Sequence, residues 1–72
     1  METNKDMVVD VLSNYGAMTS HQIAIQVNLK HGVVLTASQI SGAMRPLINK
    51  GEIASSRDEH GKKRYWMVER EF

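Results

Sequence analysis

Two near copies of one hexapeptide, TSHQIA at residues 19–24 and TASQIS at residues 36–41, limit what this chain can fold into. In T-x-x-Q the threonine hydroxyl accepts a hydrogen bond from the backbone N–H three residues on. The glutamine side chain reaches back to the threonine N–H, which completes a capping box. Each copy therefore predicts a helix start, at Thr19 and at Thr36, and the isoleucine just after each box is the first residue able to turn into a core. Starts seventeen residues apart leave room for one short helix and a connection, so the duplication is repeated capping and not a solenoid unit.

A further helix precedes them. MVVDVLSNY at residues 7–15 places Val8, Val11, Leu12 and Tyr15 at i, i+3, i+4 and i+7, the spacing of one helical face. Asp6 or Asn4 serves as its cap and Gly16 as its stop. The second helix, opening at Thr19, turns Ile23, Ala24 and Val27 inward. Two short helices that follow a first one describe a three-helix cluster of helix-turn-helix type.

The third helix has the most informative surface. At 100° per residue, Ala37, Ile40, Ala43, Met44, Leu47 and Ile48 fall on one side, and Ser38, Ser41, Gly42, Arg45 and Asn49 on the other. An ordinary solvated face carries Glu and Lys at i, i+4 spacing. This one is small, hydrogen-bonding and armed with a single long cation. A helix entering a major groove needs that arrangement, because small residues allow close approach and Arg binds guanine O6 and N7 with two hydrogen bonds. Pro46 lies inside the helix, where it cannot donate to the Gly42 carbonyl and crowds it, so a kink or an early end is expected there. The spacing of Leu47 and Ile48 favours continuation to Lys50, with Gly51 as the stop.

The segment NLKHGVVL joins the second and third helices, and its Val33, Val34 and Leu35 predict a short strand. EIASSR, DEHGKK and RYWMVE then read as strand, turn and strand, with Gly61 taking the positive φ of the loop. The expected fold class is α+β, in the order helix, helix, strand, helix, strand, strand.

From Met7 to about Val68 the chain resembles the winged helix-turn-helix domains of small bacterial and phage transcriptional regulators. The resemblance rests on TSHQIA, on TASQISGAMRPLINKGEI running into the first wing strand, and on HGKKRYWMVE as a basic wing. It implies three helices plus a C-terminal β-hairpin wing, with the third helix in the major groove and the wing on the backbone or minor groove. It further implies that double-stranded DNA is met by Thr36, Ser38, Gln39, Ser41, Gly42, Arg45 and Asn49 of the third helix. The wing would add Arg57, His60, Lys62, Lys63 and Arg64.

Charge distribution agrees with a polyanionic partner. The net charge is +1, yet no acid occurs from Val11 to Gly51, where Lys30, Arg45 and Lys50 stand alone. Asp58 and Glu59 dilute the wing. That near-neutral balance keeps a second reading open, a winged helix that modulates another regulator or complex without touching DNA.

Seventy-two residues suffice for one domain, with residues 1–6 and 70–72 expected to fray, and an initiating Met suggests a complete protein. The absence of cysteine excludes disulfides, thiolate zinc sites and thiol nucleophiles, and points to a reducing cytoplasm. No apolar run approaches the roughly 20 residues of a membrane span. His21, His31 and His60 lack metal-ligand spacing, and no catalytic arrangement is legible. No enzyme, cofactor, metal or small-molecule ligand is therefore expected. Tyr65, Trp66 and Phe72 anchor the hairpin to the core, or in part make a homodimer contact.

Overall fold

The computed structural model describes residues 3–68. Three helices, α1 (Asn4–Tyr15), α2 (Ser20–His31) and α3 (Ala37–Asn49), pack against a sheet of β1 (Met18–Thr19), β2 (Ile53–Arg57) and β3 (Lys63–Met67). The sheet is antiparallel, with β3 between β1 and β2. This is a winged helix-turn-helix, β2 and β3 forming the wing.

Capping sets where each helix begins. Thr19 Oγ1 accepts from Gln22 N at 3.2 Å while Gln22 Oε1 accepts from Thr19 N at 3.0 Å, and Thr36 and Gln39 repeat the exchange at 3.1 and 2.9 Å. A third box, Thr3 with Asp6, starts α1 at Asn4. The cap is thus Thr3, not Asp6 or Asn4, since Asp6 supplies the side chain that reaches back. The earlier start brings Met7 into the buried stripe with Val8, Val11 and Leu12, and leaves Tyr15 exposed at the last helical residue.

α3 ends in a Schellman motif. Glu52 N donates to Leu47 O at 2.8 Å and Gly51 N to Ile48 O at 3.0 Å, with Gly51 at φ 77°. Pro46 does not end the helix early, and Lys50 N still reaches Pro46 O at 3.1 Å.

The extra strand lies elsewhere than the sequence predicts. Val33–Leu35 form no strand; β1 comes before α2 and pairs Met18 with Tyr65 and Thr19 with Arg64. The physical reason is room. Gly32 caps α2 in the left-handed region and Thr36 caps α3, so the chain between them is committed to joining two helices. It drops Leu35 into the core, and the free edge of β3 is taken by β1.

The core gathers Met7, Val8, Val11, Leu12, Met18, Ile23, Val27, Leu35, Ile40, Met44, Leu47 and Ile53, with no buried polar or charged residue among those described. Ala24, Ala43, Tyr65 and Met67 pack against it half-buried. Ala37 and Ile48, expected on the inner side of α3, are exposed, because the buried stripe is narrower than the 100° wheel suggests and runs along Ile40, Met44 and Leu47. Of the termini expected to fray, residues 1–6 and 70–72, residues 1–2 and 70–72 lie outside the described residues, Phe72 among them, and residues 4–6 form the first turn of α1.

Asp10 of α1 fastens the end of α2. Its carboxylate lies 2.9 Å from both Lys30 Nζ and His31 Nε2 and accepts from Asn14 Nδ2 at 2.9 Å. The Lys30 ammonium above all, and the His31 ring after it, hold the Asp10 carboxyl below its ordinary 3.8, against an opposing contribution from burial. A carboxylate with a lower pKa folded than unfolded stabilises the fold above the unfolded value, and the benefit fades as pH falls through the folded one. Melting followed by circular dichroism is therefore expected to show a midpoint that drops as pH is lowered past 3.8. Asp10→Asn is expected to flatten that drop and to melt lower at pH 7; an unchanged profile would acquit Asp10.

Candidate functional site

The outward side of α3 collects the polar residues that the wheel places together. Ser38, Ser41, Gly42, Arg45 and Asn49 are all exposed. Gly42 is informative because nothing in the fold requires it. Its φ is not positive, and a Cβ built on it meets nothing within 4 Å. A glycine inside a helix costs about 1 kcal/mol relative to alanine, and no close packing around Gly42 offsets that cost. Thr36 and Gln39 are exposed too, but their side-chain oxygens hold the capping box that starts α3.

Register divides the wing. Ile53, Ser55 and Arg57 stand opposite Met67, Tyr65 and Lys63, and Ser56 stands opposite Arg64. Directly paired residues share a face and successive residues alternate. Lys63, Tyr65 and Arg57 therefore lie on the side of buried Ile53, and Arg64 on the other side. α3 and β3 frame a cleft lined by Ser41, Met44, Arg45, Ile48, Asn49, Lys63 and Tyr65. Lys63 Nζ sits 5.7 Å from the centroid of the Tyr65 ring, within range of a cation–π contact.

A second cleft lies where α2 begins, between Thr19, Ser20, His21 and Gln22 and the wing residues Lys62, Lys63 and Arg64. Lys63 lines both. The two clefts therefore adjoin at Lys63, the first of them opening onto the α3 surface.

Asp58, which dilutes the wing's charge in sequence, turns out to build the wing. Its Oδ1 accepts from the backbone N–H groups of His60 at 2.9 Å and Lys62 at 3.0 Å, and its Oδ2 lies 3.5 Å from Arg64 Nε. The Lys62 N–H first, then that of His60 and the Arg64 guanidinium, hold the Asp58 carboxyl below its ordinary value. Arg57 Nη1 donates to Gly61 O at 3.3 Å, and Gly61 takes φ 79° at the turn. The cations free of these tip contacts are Lys62 and Lys63, both exposed, while His60 lies 3.8 Å from Glu59.

Of the residues singled out in the sequence, the structure brings Ser41, Arg45, Asn49 and Lys63 to the first cleft and Lys62, Lys63 and Arg64 to the second, with Arg64 also beside Asp58. Sequence reasoning missed Ile48 and Tyr65 as cleft residues and Ser20 and His21 at the start of α2. The position of Ser20 and His21 directly after the Thr19 cap was a usable signal, since a helix start presents free N–H groups. Among the described residues, no group of three His, Asp or Glu side chains could hold a metal, and no helix is long and apolar enough to cross a membrane.

No family model and no curated protein matches the chain. Among solved structures it is similar to hsRosR as found in the complex structure of hsRosR-S4, with a TM-score of 0.78 at 16% identity. The match covers 94% of this chain and 58% of that one, so the chain spans less than two thirds of its structural neighbour. At that identity the likeness is one of fold.

Proposed function

We propose that this protein binds double-stranded DNA sequence-specifically and acts in the cytoplasm as a small transcriptional regulator of bacterial, phage or plasmid origin. In this reading α3 enters the major groove and the wing rests on the backbone or minor groove. The observation that carries it is the outward side of α3: exposed, free of acids, with Arg45 at its centre and a glycine that the fold does not need. Lys63 lines the cleft beside it, and Lys62 is exposed next in the chain. The shared fold with hsRosR is consistent with a regulator and does not by itself name a ligand.

The test is an anisotropy and NMR titration with a random-sequence duplex at low and moderate salt. Shifts at α3 and residues 57–64 that fade with salt are expected. With about five phosphates neutralised, the log–log salt slope is about −4.5. No shift at low salt would overturn the reading. Gly42→Ala supplies a sharper check: it is expected to raise stability by about 0.5–1 kcal/mol while weakening DNA binding, and tighter or unchanged binding would remove Gly42 from the interface.

One observation favours the second reading. Ile25, Leu29 and Val34 are 44%, 75% and 79% exposed, apolar side chains of α2 and the segment after it that the core does not use. A protein partner seated there, in place of DNA on α3, would leave the titration silent.

A further inference from the structure

We infer that Ile48 and Tyr65 form a thymine-methyl reader beside Arg45, so that the protein recognises a guanine and an adjacent thymine as a unit; this rests on the DNA reading above. Ile48 is 37% exposed although its neighbours Met44 and Leu47 are buried. It lines the concave cleft between α3 and β3 together with Tyr65, Arg45, Asn49 and Lys63. The occupant must therefore present a small apolar group from a strongly anionic body. Duplex DNA offers one such group in its major groove, the C5 methyl of thymine.

Placement agrees on two counts. Arg45 and Ile48 are three residues apart on α3 and so are neighbours on one side of its surface. If Arg45 takes guanine O6 and N7, Ile48 falls on the neighbouring pair. The thymine methyl also lies at the outer edge of its base, next to its own strand's backbone. Ile48 occupies the matching flank of α3, the one turned to the wing, where Lys63 meets the phosphates of that strand.

The test begins with a duplex enriched by selection from a randomised pool. Each thymine is then replaced singly by deoxyuridine, which removes the methyl and preserves base pairing. At one position, next to the guanine whose replacement hurts most, the wild-type protein is expected to lose about fourfold in affinity, the worth of one buried methyl group. Ile48→Ala is expected to bind more weakly and to be indifferent to that deoxyuridine, whereas Arg45→Ala retains the effect. Wild-type binding indifferent to deoxyuridine at every position, or an Ile48→Ala protein that still senses the methyl, overturns the inference and leaves DNA binding intact. Failure to bind any duplex overturns the proposed function itself, and this inference with it.

Discussion

Ile40→Ala is expected to leave much of the population unfolded near room temperature in mild denaturant. Ile40 is fully buried, at 0% exposure, in the middle of the stripe through which α3 meets the rest of the core. Truncating a buried isoleucine removes its transfer free energy and leaves a cavity that neighbours fill only in part, a loss of about 2–5 kcal/mol. At roughly 0.05–0.15 kcal/mol per residue, a domain of this size holds only about 4–11 kcal/mol in total. No disulfide backs the fold, since the chain has no cysteine. Urea unfolding should show the midpoint falling with little change in slope. Ile48→Ala, on the same helix but at the cleft, is expected to lose less than half as much. Equal losses at the two positions would mean that Ile48 belongs to the core after all and is no surface reader.

That contrast also shows what the sequence could and could not disclose. The helix starts at Thr19 and Thr36 were legible because a capping box is a local chemical device that needs no knowledge of the rest of the chain. The end of α3 at Gly51 was legible for the same reason. The strand β1 was not, because two residues show no alternation and their pairing with Tyr65 and Arg64 joins segments far apart in sequence. Val33 and Val34 misled because β-branched residues favour strands only where an edge is free to receive them. Ile48 was placed in the core because a helical wheel gives an angle without the width of the buried stripe. In the site, the exposed side of α3 followed from periodicity alone, whereas which wing cation joins the α3 cleft, Lys63 and not Arg64, depends on hairpin register, and the role of Asp58 on a turn geometry. Both are set by the local geometry of the turn, which residue types alone do not state.

The second large effect falls on recognition itself. Arg45→Ala is expected to cost about 1–3 kcal/mol on the duplex the protein prefers, roughly five- to 150-fold in affinity, and to erase its preference at one base pair. Arg45 is exposed at the centre of the α3 surface, so the substitution should leave the melting midpoint nearly unchanged and its effect can be read as binding. Lys63→Ala provides the contrast. Its ammonium stands on β3 in the same cleft, over the Tyr65 ring, where in the proposed complex it would meet phosphate and no base edge. It is expected to weaken all duplexes alike and to reduce the salt slope by about one. The decisive comparison crosses protein and DNA: with the guanine pair replaced, wild type and Arg45→Ala should bind equally, because the partner of the guanidinium is already gone. Sequence-independent losses of the same size in both variants would reduce Arg45 to a second phosphate contact. The front formed by α3 and the wing would then hold DNA without reading it.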